Sequence, residues 1–188
     1  MGHYDMAILP WGATEPHNLH LPYCTDMLTA QAVAFEVAEK AAMQGVNLMV
    51  LPGIPLGSQN PGQIELPYCI HTSQTTQMAI LRDVVRSLKR QGIRKLMIMS
   101  GHGGNNFKGI IRDIMIEDPE MIIVHNEWFA IIPRTDYFEE KEDDHAGELE
   151  TSVMLHYYPD LVRMDLAGDG KFSKFGIEGL NTKVAWLP

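Results

Sequence analysis

Cysteine is nearly absent from this chain. Cys24 and Cys69 are the only two in 188 residues, and neither belongs to a Cys-x-x-Cys pair. A disulfide framework is thereby excluded, and two reduced thiols are expected. Long apolar runs are missing too: none approaches the roughly 20 residues that a membrane-crossing helix needs. The opening Met1-Gly2-His3-Tyr4-Asp5 lacks a basic region followed by an apolar core, so no signal peptide is expected. Met6 stands where a myristoylation site requires Ser or Thr. Positive charge is also short, with 15 Lys and Arg against 24 Asp and Glu and a formal net charge of −9. Nucleic acid and anionic membranes, which both demand a positive field, are not expected partners. Together these absences describe a soluble protein expected in the cytoplasm.

What is present is ordinary globular composition, 45% hydrophobic and 21% charged, in a length that suits one domain spanning residues 1–188. Short apolar runs alternate with stretches of helical period. Residues 6–9, 47–51, 95–99 and 121–124 read as buried strands, the first stopped by Pro10. Residues 27–44, 107–116, 148–158 and a long segment opening at Thr72 and stopped by Gly92 read as helices. Strand and helix in alternation imply right-handed crossovers around a mainly parallel sheet covered on both faces, a three-layer α/β/α sandwich. In that architecture chemistry gathers at the carboxyl ends of the strands.

Three segments at those positions carry metal-ligand side chains. The first runs from Gly12 to Asp26 and holds Glu15, His17, His20 and Asp26. Glu15 and His17 are two apart, so extended backbone projects them the same way, and Pro16 favours that geometry. Asp26 stands at the mouth of the next helix, where a helix cap is the competing explanation. The second segment is Ser100-Gly101-His102-Gly103-Gly104-Asn105, whose glycines allow an imidazole to come close to another group. The third is His145-Ala146-Gly147-Glu148-Leu149-Glu150-Thr151-Ser152. His145 and Glu150 are five apart and need not share a helical face. His3, His71, His125 and His156 lack such neighbours and read as structural or exposed. Imidazole and carboxylate without thiolate suit Zn²⁺, Mn²⁺ or Fe²⁺. The donors exceed what one open catalytic ion requires, so two divalent ions bridged by a carboxylate are expected, with hydrolytic chemistry.

In this order the residues resemble the creatininase (creatinine amidohydrolase) superfamily. The resemblance covers roughly residues 6–160 and rests on four motifs: Gly-x-x-Glu-x-His, an aspartate nine residues after that histidine, Gly-His-Gly-Gly-Asn, and His-Ala-Gly-Glu-x-Glu-Thr-Ser. It implies a three-layer α/β sandwich in a homo-oligomer. It also implies that Glu15, Asp26 and His102 hold one metal, and that His17 with bridging Asp26 holds the second. His145 matches the family's catalytic histidine, and Ser58 lies where the family contacts substrate, with Gly103 and His20 as further substrate-facing candidates. Creatininase proper has a glutamate where Gly104 stands, so Glu150, or else Glu148, is the candidate to supply a carboxylate to the second ion; Glu150 is also a catalytic candidate. Gly103 and Lys141 replace a tyrosine and a tryptophan that creatininase sets beside creatinine, which argues against creatinine as substrate. The family also includes formamide hydrolases and peptide-cleaving relatives. Its members usually continue with a glycine-rich segment, of which Gly168 to Lys174 is a candidate altered form, whereas this chain stops at Trp186-Leu187-Pro188.

Three functions therefore compete. The first is a metal-dependent amidohydrolase acting on a small cyclic amide or formamide. The second is a catalytically silent metal-binding relative serving as a scaffold. The third is a nucleotide-binding module using Ser100 to Asn105 as a phosphate loop, with Glu127 as the ribose-binding acid. The third lacks its last glycine, because position 106 is Asn106, and it leaves Glu15, His17 and His145 without a purpose.

Overall fold

The computed structural model describes residues 3–131, 133–139, 145–169 and 175–182. Lys141, most of the acidic run from Glu139 to Asp144, Gly170 to Lys174 and Trp186 to Pro188 lie outside the described residues. Four parallel strands form one sheet in the order β2-β1-β3-β4, with β1 Met6–Trp11, β2 Leu48–Val50, β3 Lys95–Ser100 and β4 Ile122–Glu127. The chain steps from β1 to β2 on one side, then crosses back to β3 and β4 on the other. The reversal puts a topological switch point between the carboxyl ends of β1 and β3, where doubly wound sheets open a crevice.

Pro10 does not stop the first strand. Main-chain groups along a strand point alternately to its two neighbours, and the Ile8 and Pro10 carbonyls both face the β2 side, accepting from Leu51 and Ile54. Pairing with β2 ends at Ile8↔Val50. The donor that proline lacks would thus face a position beyond β2's last residue, and β1 keeps pairing with β3 through Trp11↔Ser100.

The first helix, α1 (Thr25–Ala42), joins β1 to β2 and covers one face; α4 (Glu148–Tyr157) packs on α1. On the opposite face lie α2 (Gln74–Arg90) and α3 (Lys108–Glu117). α2 starts after Ser73, whose hydroxyl accepts from the Thr76 N–H, one residue later than Thr72. Both faces are covered over β1 and β3, whereas at β4 Ile122 and Val124 stay exposed on the face opposite buried Ile123. Ala7, Leu9, Trp11, Leu96 and Ile98 pack with Leu81, Val85 and Leu88 of α2 and with Phe107, Ile110 and Ile114. Ile8 and Met99 meet Ala34 of α1 on the other side. Each fully buried Leu, Ile or Val contributes about 1.5–3 kcal/mol, enough to hold the strand tips rigid as a platform.

Candidate metal centre

Helix α1 begins against the tips of β1 and β3, and two glycines make that approach possible. A Cβ on Gly12 would lie 2.2 Å from the Met27 nitrogen, and one on Gly101 would lie 2.1 Å from the Asp26 carbonyl oxygen. Asp26 is consequently held between the two strand ends. It is not the helix cap: Cys24 occupies that position, and Asp26 sits inside the first turn with its carboxylate turned to two imidazoles. The loop after β1 brings Glu15 and His17 to the same place, the turn after β3 brings His102, and the segment entering α4 brings His145 and Glu150.

Three ligand groupings result, each with its donor atoms within 4.8 Å of one another: Glu15, Asp26 and His102; His17, Asp26 and Glu150; and Glu15, His17 and His145. The first two share Asp26. His102 Nδ1 lies 3.0 Å from Glu15 Oε1 and 3.1 Å from Asp26 Oδ2. His17 Nε2 lies 2.9 Å from Asp26 Oδ1 and 3.7 Å from Glu150 Oε1. His145 Nδ1 lies 3.7 Å from Glu15 Oε1, and its ring stacks on His17 at 4.2 Å between centroids.

In all three imidazoles the far nitrogen meets a main-chain carbonyl, which can only accept, so that nitrogen carries a hydrogen. His102 Nε2–H donates to the Ser58 carbonyl at 2.7 Å, His17 Nδ1–H to Glu15 at 3.2 Å and His145 Nε2–H to Pro16 at 2.6 Å. The tautomers are thereby set with the other nitrogen aimed at the carboxylates, the arrangement that orients histidine ligands in metal sites. Glu150 is doubly fixed, because its Oε2 accepts from the Ala146 N–H at 2.6 Å while Oε1 faces His17. Ala146 itself has a left-handed backbone, φ +53°, an unfavourable geometry for alanine located beside the site.

Burial gives this cluster its chemical demand. Glu15 and Asp26 are each 1% exposed and His17 is 0% exposed. Glu15 Oε2 is buried without a hydrogen-bond partner, Asp26 Oδ2 has only the His102 imidazole beside it, and a buried carboxylate oxygen is unfavourable unless a donor or cation meets it. Burial alone would pull the two imidazoles down. Hydrogen bonds and charge from Asp26 and Glu15 outweigh it at His102, pushed up to about 10, and those from Asp26 and Glu150 outweigh it at His17, also raised. Burial pushes the Asp26 carboxyl up, but His102 and His17 hold it far below the usual carboxylate range. The site is built for positive charge, which protons supply when no metal does. Its nitrogen and oxygen donors without thiolate fit a divalent ion of the zinc or manganese type.

The cavity above the cluster is small, about 80 Å³, and Gly103, Phe129, Arg134 and Leu149 line it together with Glu15, Asp26, His102, His145 and Glu150. Two residues expected at the substrate are not among its lining. Ser58 donates its hydroxyl to Thr72 and gives its carbonyl to His102, so its main chain orients a ligand. His20 is buried against Thr151 at 2.9 Å and braces α4. Glu148, offered as the substitute carboxylate, is absent from all three groupings, whereas Glu150 is in one. Phe129 and Arg134 escaped the sequence reading. They follow β4, and the rule that strand ends carry chemistry pointed there as much as to the loops after β1 and β3. Asn105, part of the Gly-His-Gly-Gly-Asn motif, bonds the Gly12 carbonyl, the Ser58 N–H and Gln77, tying three loops together. The same turn does not serve as a phosphate loop. Its Gly101, His102 and Asn105 N–H groups are spent on Trp11, Ser100 and the His102 carbonyl, and the carboxylates of Glu15 and Asp26 would repel a phosphate.

The creatininase family profile, described as creatinine amidohydrolase, matches residues 2–187. The Pseudomonas putida creatinine amidohydrolase is 30% identical over 181 residues, a match that covers 86% of this chain and 68% of that protein. A solved structure of a candidate creatinine amidohydrolase from Bacteroides fragilis superposes with a TM-score of 0.97 at 58% identity, over 99% of this chain and 74% of that one. A solved creatininase superposes with a TM-score of 0.77 at 27% identity, over 92% of this chain and 73% of that one. Other relatives include mycofactocin precursor peptide peptidases and ribosylaminopyrimidine deformylases, and the chain spans between 60% and 71% of their lengths.

Proposed function

Because the chain belongs to the creatininase family, we propose that it is a metal-dependent amidohydrolase that cleaves the C–N bond of a small amide or formamide with water, giving a carboxylic acid and an amine. The observation that carries this reading is the pair of ligand groupings sharing Asp26, each with an imidazole whose far nitrogen is tied to a main-chain carbonyl. On this reading Glu15, Asp26 and His102 hold one divalent ion, and His17, Asp26 and Glu150 hold a second. Relatives have been solved in zinc and manganese forms. Bound there, such ions lower the pKa of a water and polarise a carbonyl.

The chain's own groups do the rest. Asp26, clamped between glycines, fixes the spacing of the two positions. His145 is the most exposed member of the cluster, and its Nδ1 faces Glu15 Oε1. On this reading its bare Nδ1 takes a proton from the attacking water and passes it to the departing amine. Phe129 and Leu149 wall the cavity with apolar surface and exclude bulk water. A soluble homo-oligomer acting on a small molecule completes the proposal; among the described residues no helix is long and apolar enough to cross a membrane.

Gly104 favours one competing reading, a silent metal-binding relative. A Cβ there would lie 2.5 Å from His102 Nε2 and 2.6 Å from the Ser58 oxygen, so the backbone as built admits no side chain at the position where creatininase has an acid. The deciding experiment is an amide and formamide panel run with metal-loaded and chelator-treated protein. Turnover that disappears with chelator is expected; full metal content with no turnover would leave the silent relative.

A further inference from the structure

A cavity of about 80 Å³ is only on the order of three water volumes. A scissile amide is enough to fill it, so the rest of a larger substrate lies at its mouth. Phe129 and Arg134 line the cavity beside the cluster, both half-buried, while Glu15, His17 and Asp26 are nearly inaccessible. Arg134 sits on a short 3-10 turn, Arg134–Asp136, which follows Pro133 with its φ of −62°. Its guanidinium carbon lies 5.9 Å from the Phe129 ring centroid, so the aromatic face supports the charge beside the opening. Among the described residues it is the one lysine or arginine lining the cavity, in a protein of net charge −9. A guanidinium fork is suited to two oxygens of one anionic group.

We propose that Arg134 is a specificity residue that takes an anionic group of the substrate. On this proposal the substrates are amides or formamides carrying a carboxylate or phosphate close to the scissile bond. This rests on the amidohydrolase reading above and adds the substrate class. Arg134 would hold a group that does not itself react, so its loss appears chiefly in KM.

The test uses matched substrates, N-formylglycine, 2-formamidoethyl phosphate and the uncharged N-formylethylamine, with wild type, Arg134→Met and Arg134→Lys. Methionine keeps apolar contact with Phe129 without the charge, and lysine keeps the charge without the fork. The ratio of kcat/KM for an anionic member to that for the uncharged member is expected to fall by about tenfold to a hundredfold in Arg134→Met, the worth of a hydrogen bond to a charged group. Arg134→Lys is expected to lose less. Whichever anion shows the larger drop identifies the source, carboxylate or phosphate. An unchanged ratio for both anions overturns the proposal. A second readout is independent of turnover: calorimetric titration of N-acetylglycine should show a Kd at least tenfold weaker in Arg134→Met. Arg134-dependent binding without turnover of any amide sinks the hydrolase reading and keeps the anion site. Turnover with equal binding in both proteins does the reverse.

Discussion

Sharing of Asp26 between two ligand groupings makes a quantitative prediction about metal and heat stability. A ligand at a hundred times its Kd stabilises the folded state by about 2.7 kcal/mol per site, so two sites give about 5.4 kcal/mol. In a chain of 188 residues each kcal/mol raises Tm by about 2–4 °C. Saturating zinc or manganese should therefore raise the wild-type Tm by about 10–20 °C over the chelated protein. Glu150→Gln leaves Glu15, Asp26 and His102 intact and should keep about half of that increment. Asp26→Asn removes the oxygen charge that both groupings use, and almost none of the increment should remain. Each variant is compared with its own chelated form by scanning calorimetry, so damage to the metal-free fold cancels. An undiminished increment in Asp26→Asn would refute the shared-ligand geometry, and a full wild-type increment in Glu150→Gln would remove Glu150 from the site.

Three further perturbations separate roles within the cluster. His145→Ala should retain bound metal, because neither Asp26 grouping includes it, while kcat falls by about 10²–10⁴-fold, the usual worth of a positioned acid or base; parallel metal analysis and kinetics decide this. Gly101→Ala drives a Cβ into the Asp26 carbonyl, 2.1 Å away, and should lower stability by about 1–3 kcal/mol in denaturant titration, as overpacking does, and weaken metal binding with it. In the metal-free protein His102 is raised to about 10 from an ordinary 6.5. Its stabilisation is complete below pH 6.5 and is lost as pH rises toward about 10, so the chelated Tm should fall over that window. Bound metal must displace those protons, so metal affinity should rise over the same window, with proton release visible as a buffer-dependent binding enthalpy. A flat chelated Tm or a pH-independent affinity would contradict the assignment.

Much of the fold was legible because the central strands of the parallel sheet are buried on both faces and the strands are short apolar runs bounded by turn residues. Errors fell where tertiary pairing overrides local chemistry. Pro10 looked like a stop, yet its missing donor faces a position beyond the end of β2. For Asp26 a cap was the competing reading, yet the helix is capped two residues earlier by Cys24, and Gly12 and Gly101 let its first turn lie against the strand tips. The ligand-bearing segments were visible as histidine and carboxylate concentrated after strands. Arg134 and Phe129 were not, because a lone arginine on a short turn carries no periodicity and no ligand spacing; only the packing of that turn over the cavity distinguishes it. Ser58 and His20 illustrate the converse. Both lie next to the site in sequence or motif, and both turn their side chains elsewhere, to Thr72 and Thr151.

The most direct test of a two-ion centre bridged by Asp26 is metal content per chain, measured by plasma mass spectrometry on protein purified without chelator. Close to two equivalents of zinc, manganese or iron in the wild type, with neither retained by Asp26→Asn, is the predicted result. One equivalent, or none even after metal is added back, would contradict it.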